Sequence, residues 1–210
     1  FRVMSNGYGY EAGIVEGSRP TLPKADTGIV TDKRQPLGVS QTTNETTKCR
    51  IVEISVETRQ DYINIEEIKR LRKLDVTKVE LGVQSIYDDV LELNNRGNAN
   101  QSTIDATGLL RDAGFKISYQ VMPNLPGSNL ERDREMFEQL FHNSSYKPDH
   151  LKIYPLALVK EASVYNLYRQ GKYVPYNRLE LIQLLKNIKT KTPYFCRIER
   201  IIRDIPSTSI

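Results

Sequence analysis

The stretch QSTIDATGLLRDAGFKISYQV, residues 101–121, places a helix and a strand on either side of one glycine. Residues 101–113 predict a helix, and Gly114 is the residue type that commonly ends a helix in the left-handed conformation. Residues 116–121 then predict a strand. This helix-to-strand unit is the pattern that the rest of the chain repeats.

The alternation of strands and helices extends in both directions from this unit. Upstream, a short apolar strand is predicted over residues 51–56, and apolar residues then recur at helical spacing behind an N-capping Asn64. The other predicted strands are 78–83, 150–154 and 195–198, and the other predicted helices are 88–93, 130–141, 163–169 and 179–189.

Strands that alternate with helices of this length predict an α/β chain with a parallel sheet and right-handed crossovers. Either an open doubly wound sheet or a barrel satisfies the pattern. Residues 1–40 are punctuated by Gly, Pro and Thr and predict an irregular N-terminal connection, whereas residues 41–210 carry the strand–helix units. The chain begins at Phe1, and we expect it to be a piece of a longer protein.

Composition excludes several classes of protein. The longest apolar runs are a few residues, against the roughly 20 needed to cross a bilayer, so no membrane partner is expected. Two cysteines and two histidines provide neither a disulfide framework nor a spaced metal cluster, which favours a reducing, cytoplasmic location. The net charge of +4 is compatible with a polyanionic partner without requiring one.

Polar residues follow the predicted strands at their carboxyl ends, the edge where parallel α/β folds bind ligands. The sequence places there a carboxylate (Glu57), an amide (Gln84), the prolyl loop 122–127 and the pair Lys152 and Tyr154. No nucleophile with a base partner is evident, and the glycine-rich phosphate loops are absent. Both histidines fall on the far side from this edge.

Six runs of sequence carry a family resemblance in their order and spacing: 50–59 RIVEISVETR, 79–85 VELGVQS, 93–97 LNNRG, 122–127 MPNLPG, 149–155 DHLKIYP and 197–206 RIERIIRDIP. Together they resemble the radical S-adenosylmethionine domain of the Elongator catalytic subunit family, the tRNA uridine acetyltransferases. The resemblance implies a partial parallel (βα) barrel of the radical S-adenosylmethionine type. It also implies a [4Fe-4S] cluster, S-adenosylmethionine, and acetyl-CoA as donor of an acetyl group to C5 of the wobble uridine of tRNA.

The resemblance also implies cofactor-binding residues. Glu57 would accept both ribose hydroxyls, Gln84 would bind the same sugar, and Arg96 would bind the methionine carboxylate. Gln120 near the end of the third strand, and Met122 and Asn124 in the loop that follows it, would contribute further cofactor contacts. Ordinary structural roles remain open for each: a surface Glu, a helix-capping Gln, a solvated Arg and a plain turn.

Lys152 and Tyr154 are the candidate catalytic residues, facing tRNA phosphate, acetyl-CoA or the reactive centre. Arg197, Arg200 and Arg203 are the candidate nucleic-acid-binding residues, and their alternative role is to pair with Glu199 and Asp204. The implied partners are tRNA and either a homodimer or an Elongator-like assembly.

The chain departs from the family at the cluster. Such a site needs three cysteine thiolates on one loop, but Cys49 and Cys196 are 147 positions apart, so both are expected to be buried structural thiols. No metal ligand is assigned to this chain, and on its own it is expected to be inactive. Two alternatives stay open: a cluster-less tRNA-binding module, and a radical S-adenosylmethionine enzyme with another substrate.

Overall fold

A computed structural model describes residues 36–160 and 162–202. The chain divides into two compact units, residues 1–48 and 49–210. In the first unit, helix α1 (Leu37–Thr46) has no buried residue. The boundary expected at residue 40 falls inside α1, and most of the expected N-terminal connection lies outside the described residues.

In the second unit, strands and helices alternate along the described residues. The strands are β1 (Ser55–Thr58), β2 (Lys78–Gln84), β3 (Lys116–Val121), β4 (His150–Ile153) and β5 (Arg197–Ile201). The helices are α2 (Ile65–Lys73), α3 (Asp88–Leu93), α4 (Asn100–Asp112), α5 (Leu130–His142), α6 (Ser163–Arg169) and α7 (Arg178–Lys191), with a 3-10 turn at Gln60–Tyr62 after β1.

Local sequence sets several of these boundaries. Side chains of Asn64, Asn129 and Asn177 accept hydrogen bonds from the first free amides of α2, α5 and α7. At α7 the cap is reciprocal, because Glu180 bonds back to the Asn177 amide. Gly114, at φ 74°, ends the α4 region in the left-handed conformation that its position after the helix predicts.

The sheet resolves the choice between a doubly wound and a barrel architecture. Its strand order is β1-β2-β3-β4-β5, and every neighbouring pair is parallel. Right-handed crossovers that always advance in one direction place their helices on one face, whereas a doubly wound sheet reverses direction. The prediction of a partial parallel (βα) barrel is therefore confirmed.

The two faces of the sheet differ in chemistry because side chains alternate along each strand. The face under the helices is apolar, with Val79, Leu81 and Val83 of β2 beside Tyr119 of β3, all essentially inaccessible. The core also includes these residues of the other strands and helices: Ile117, Val121, Leu151, Ile153, Leu71, Leu110, Met136, Phe137, Leu140, Leu184 and Ile188.

The opposite face carries polar side chains and is concave. Lys78 of β2 and Glu199 of β5 approach to 2.9 Å, although β3 and β4 lie between their strands. On a flat sheet those strands would be about 14 Å apart, and side chains would stand perpendicular to the sheet. The contact therefore requires the sheet to curve around this face, as a barrel wall does.

Two predicted strands begin too early. Ile51 and Val52 are 66% and 80% exposed and precede β1, because the pairing with β2 begins only at Ser55 opposite Lys78. The strand expected at 195–198 is instead Arg197–Ile201, whose pairing with β4 begins at Arg197 opposite His150. The other predicted strands and helices agree with the structure to within two residues. No helix in the described part of the chain has the length and apolarity that a membrane span requires.

Candidate functional site

The carboxyl edge of the sheet contains residues in an unusual backbone conformation. Gln84, the last residue of β2, has φ 66°, Asn124 beyond β3 has φ 69°, and Ile202 directly after β5 has φ 69°. Residues with a Cβ rarely adopt positive φ, and such strain persists where surrounding contacts hold it, often at functional sites. The edge where the sequence predicts ligand binding is therefore held in a defined, strained shape.

Gln84 supplies an acceptor at this edge. Gln84 is 8% exposed, and its backbone carbonyl accepts a hydrogen bond of 2.8 Å from the Met122 amide. Its side-chain Oε1 is buried and has no hydrogen-bond partner within residues 36–160 and 162–202. A buried acceptor without a donor is costly, so a ligand hydroxyl or amine that reached it would remove that cost.

Two other predicted cofactor residues lie around the end of β2. Arg96 Nη2 donates to the Gly82 carbonyl at 2.7 Å, two residues before Gln84. Glu57 lies on the neighbouring strand β1, opposite Glu80, and is exposed, and its carboxylate makes no hydrogen bond or ion pair to any described residue. The structure thus brings Gln84 and Arg96 onto one strand end and Glu57 onto the adjacent strand.

Asn124 is buried, and all of its polar groups bond to protein. Its amide donates to Asp133 Oδ2 at 2.7 Å, and its carbonyl accepts from the Tyr173 hydroxyl at 2.7 Å. Its side-chain oxygen accepts from the Tyr176 amide at 2.9 Å, and Nδ2 lies 3.4 Å from the Leu156 carbonyl. The bonds to protein give Asn124 a structural role in the loop, and its predicted cofactor role stays a prediction.

Asp133, which sequence reasoning missed, holds this loop from α5. Burial raises the pKa of its carboxyl group, although hydrogen bonds from Ser128, Asn124 and Tyr176 act in the opposite direction. The available signal was its spacing, because Asp133 shares the helical face of Met136, Phe137 and Leu140. A carboxylate on an apolar face needs partners, and here it has three.

A cluster of charged side chains occupies the polar face below the edge. Lys152 Nζ contacts Glu80 Oε2 and lies 3.9 Å from Glu199 Oε2. Lys78 pairs with Glu199 at 2.9 Å and with Glu53 at 2.9 Å. Lys152, predicted as a catalytic residue, therefore lies between two carboxylates inside the curve of the sheet.

The same cluster takes in neutral groups and a histidine. Gln120 Nε2 donates to Glu80 Oε2 at 3.4 Å, and Ser55 Oγ donates to Glu80 Oε1 at 3.0 Å. His150 Nδ1 lies 2.9 Å from Glu199 Oε1 without the alignment of a hydrogen bond. Gln120 thus contacts the charged cluster in this structure, and its predicted contact with cofactor stays a prediction.

Glu199 is the most heavily paired carboxylate of this cluster. Burial alone would raise its pKa, but the hydrogen bond from Lys78 and the electrostatic effects of Lys78, His150 and Lys152 hold that pKa below its usual range. The sequence predicts Glu199 as an alternative partner of the arginines in the C-terminal run. Among the described residues its close partners are instead Lys78 of β2 and His150 and Lys152 of β4.

The remaining predicted residues lie nearer the surface. Tyr154 is half-buried directly after β4, and its amide donates to the Val121 carbonyl at 2.9 Å. Met122 is half-buried between β3 and Asn124. Arg197 and Arg200 are exposed on β5, and Arg203 lies outside the described residues.

The donor set does not fit an iron–sulfur cluster. The chain has two cysteines, whereas a radical S-adenosylmethionine site needs three thiolates. Cys49 is exposed, so the expectation that it is buried is wrong, and Cys196 is buried where β5 begins. Burial raises the pKa of the Cys196 thiol to about 12 and so disfavours the thiolate. Within the described ranges no three His, Cys, Asp or Glu side chains form a metal-binding group.

Comparison with protein families identifies two matching regions. Residues 14–140 match the family model of the Radical SAM superfamily, and residues 148–210 match that of the Radical_SAM C-terminal domain. The first match covers more than half of the chain.

Individual relatives agree with this. The chain is 44% identical over 171 residues to a tRNA uridine(34) acetyltransferase of Methanocaldococcus jannaschii, covering 81% of this chain and 32% of the relative. It is 38% identical over 160 residues to Elongator complex protein 3 of Saccharomyces cerevisiae, covering 76% of this chain and 28% of the relative. The chain thus spans about a third of the length of these curated relatives.

Solved structures extend the comparison to the fold. The archaeal Methanocaldococcus infernus Elp3 with an N-terminal deletion matches with a TM-score of 0.78 and 43% identity, over 82% of this chain and 41% of that one. Coproporphyrinogen III oxidase from Escherichia coli, a radical SAM enzyme, matches with a TM-score of 0.53 and 19% identity, over 66% of this chain and 31% of that one. The second likeness concerns the fold alone.

Proposed function

The chain belongs to the radical SAM superfamily, and from that premise we propose that it is part of a tRNA-modifying radical S-adenosylmethionine acyltransferase. The proposed reaction joins an acetyl group from acetyl-CoA to C5 of the wobble uridine. Similarity to relatives named tRNA uridine(34) acetyltransferase supports the substrate class. The observation that carries the proposal is the buried, unpartnered Oε1 of Gln84 at the carboxyl edge.

The edge fits S-adenosylmethionine through three side chains. Glu57 would accept the ribose hydroxyls, Gln84 Oε1 would take a donor of the same nucleoside, and Arg96 would bind the methionine carboxylate. Bound S-adenosylmethionine would supply a 5′-deoxyadenosyl radical, with release of methionine, if it received one electron from a [4Fe-4S] cluster whose ligands this chain does not contain. The contribution of this chain is to bind and orient that ligand against the strained ends of its strands.

Lys152 and Tyr154 are proposed as the catalytic residues on the substrate side. Glu80 and Glu199 flank the Lys152 ammonium and hold it in place. A fixed cation suits electrostatic stabilisation of an anionic substrate group, such as a tRNA phosphate or acetyl-CoA. Tyr154, two residues beyond Lys152 and directly after β4, would contribute a hydroxyl to the same substrate.

A second candidate function is a tRNA-binding module without radical chemistry. The two-cysteine donor set favours it, because this chain cannot itself ligate a cluster. In either case we propose tRNA as the partner, a homodimer or Elongator-like assembly as the context, and the cytoplasm as the location.

The test is titration of the chain with S-adenosylmethionine by calorimetry, up to millimolar ligand. Saturable binding that Gln84→Ala and Glu57→Gln weaken about tenfold, the usual cost of one lost bond to a charged group, supports the proposal. The matched control is Asp112→Asn, an exposed carboxylate at the end of α4, which precedes β3 and so lies at the opposite end of the strands from that edge. Absence of saturable binding, together with retained tRNA binding, would favour the binding module.

A further inference from the structure

A buried carboxylate joins three separate segments behind the carboxyl edge. Asp133, in the first turn of α5, is 2% exposed. Its Oδ2 accepts from the Asn124 amide at 2.7 Å and from the Tyr176 hydroxyl at 2.8 Å, and its Oδ1 accepts from Ser128 Oγ at 2.5 Å. We call Asp133, Tyr176, Asn124 and Ser128 the anchor cluster.

Asn124 is the point at which the anchor cluster reaches the edge. Tyr173 and Tyr176, from the segment between α6 and α7, bond to its carbonyl and to its side-chain oxygen. Its backbone is in the left-handed region at φ 69°, which asparagine tolerates better than most residues other than glycine. The bond from its amide to Asp133 ties Asn124 to helix α5.

The edge on either side of Asn124 is tied to the same loop. The Met122 amide donates to the Gln84 carbonyl at 2.8 Å, and the Leu156 amide donates to the Pro123 carbonyl at 3.0 Å. The loop therefore connects the end of β2, where Gln84 holds its open acceptor, to the segment after β4. A shift at Asn124 would be transmitted to both neighbours.

We infer that Asp133, with Tyr176, is a positioning residue that fixes the backbone of the loop 122–124 and, through Met122, the orientation of Gln84 for ligand binding. This inference rests on the proposed function of the carboxyl edge. Asp133 acts through Asn124 and is not placed in contact with a ligand.

The chemistry of the cluster supports positioning over simple packing. An apolar side chain at position 133 would match Met136 and Phe137 on the same face of α5, and burying a carboxylate instead carries a desolvation cost. That cost is offset by three directed hydrogen bonds. Two of the donors are the amide of the loop residue Asn124 and the hydroxyl of Tyr176, whose own amide bonds to Asn124. A carboxylate here specifies a loop conformation that apolar packing would leave undefined.

The variants separate a local from a global effect. Asp133→Ala removes all three bonds and Tyr176→Phe removes one. Asp133→Asn keeps an acceptor for the Asn124 amide while its new NH2 group can donate to Ser128, so it should restore the loop. The matched controls are Glu131→Gln on α5 and Tyr168→Phe on α6, both of which change exposed side chains.

The first measurement is amide hydrogen exchange of the chain without ligand. We expect exchange at the Asn124 amide to rise at least tenfold in Asp133→Ala and clearly in Tyr176→Phe, while the amides of Tyr119 and Leu151 in the sheet keep their parental rates. Asp133→Asn should return the Asn124 amide towards the parental rate. Parental exchange at Asn124 in both disruptive variants, or an equal rise at Tyr119 and Leu151, would overturn the inference.

The second measurement is the affinity for S-adenosylmethionine. A weakening of about tenfold in Tyr176→Phe and Asp133→Ala, with recovery in Asp133→Asn, completes the support. Faster exchange at Asn124 with unchanged affinity would show that the anchor cluster is structural and overturn the inference. If Asp133→Ala unfolds, Tyr176→Phe decides. If the parental chain itself does not bind, the proposed function fails, and the exchange data alone then judge whether Asp133 fixes the loop.

Discussion

Lys78 holds Glu199 across the concave face of the sheet, with Nζ 2.9 Å from Oε1, and holds Glu53 at the same distance. The side chains of Lys78 and Glu199 are 8% and 18% exposed, so solvent screens this pair far less than a surface pair. Burial alone would lower the pKa of Lys78, but hydrogen bonds from it to Glu53 and Glu199 raise that pKa. The pair is therefore charged in the folded protein.

Breaking this pair should destabilise the sheet. We expect Lys78→Met to lower the free energy of unfolding by about 2–3 kcal/mol, because it leaves Glu199 with fewer partners in a poorly solvated site. Urea denaturation measures the change, and the double variant with Glu199→Gln should cost less than the sum of the single variants. Lys69→Met, which breaks the exposed pair with Glu66, is the control and should cost under about 0.5 kcal/mol.

The Glu199 carboxylate should make stability depend on acidic pH. Its folded pKa is lowered, so its stabilising contribution is present above the unfolded value of about 4.3 and is lost as pH falls through the folded value. The charged groups Lys78 and Lys152 face it, together with the titratable ring of His150. The stability difference between the parental chain and Glu199→Gln should therefore shrink below about pH 4, and a difference that grows there would contradict this assignment.

Asp133 should show the opposite sign. Burial raises its folded pKa, so the protonated form is favoured on folding, and the contribution of this group to stability declines as pH rises from about 4 through the folded pKa. Asp133→Asn removes this dependence. The free energy of unfolding of the variant should fall furthest below that of the parental chain at low pH, and this difference should shrink towards neutral pH. Urea denaturation across that range measures it. A constant difference would show that Asp133 keeps an ordinary pKa.

Iron–sulfur reconstitution should fail with this chain alone. Anaerobic incubation with iron and sulfide should produce no stoichiometric [4Fe-4S] absorption, because Cys49 and Cys196 cannot replace three thiolates on one loop. Cys49→Ser should leave the result unchanged. Four irons per chain would force both cysteines into ligand roles.

The arginines of the last strand should carry part of any tRNA contact. Each phosphate neutralised adds roughly 0.7 to 0.9 units to the log–log dependence of affinity on salt. We expect Arg197→Gln, Arg200→Gln or Arg203→Gln to flatten that slope by about one unit for at least one of the three, without lowering the melting temperature. Arg134→Gln, on the exposed side of α5, is the control. Parental slopes with lost thermal stability would assign these arginines a structural role.

Sequence periodicity was enough to predict most elements but not the ends of the sheet. Ile51 and Val52 have high strand propensity, yet they lie outside β1, because β2 offers a partner only from Lys78 onward. Pairing between strands is a tertiary property, and local propensity cannot place its first residue. β5 is shifted for the same reason, since its register depends on β4.

The candidate site divides in a similar way. Gln84 follows directly from the rule that ligands meet the carboxyl ends of parallel strands. Asp133 could not be predicted by that rule, because the run ERDREMFEQ, residues 131–139, has the composition of a charged helix. Only the spacing of its apolar residues indicates which carboxylate is buried. The pairs of Lys152 with Glu80 and Lys78 with Glu199 depend on the curvature of the sheet, which no local pattern contains.

The sequential order of the strands has a consequence for how the chain is made. Each strand pairs with the one synthesised before it, so the sheet can grow in the order in which the chain leaves the ribosome. The contact between Lys78 and Glu199 spans 121 positions and can form only when the last strand arrives. Until then Lys78 and Lys152 lack one of their carboxylate partners, and completion of β5 is the step that closes the ion-pair cluster.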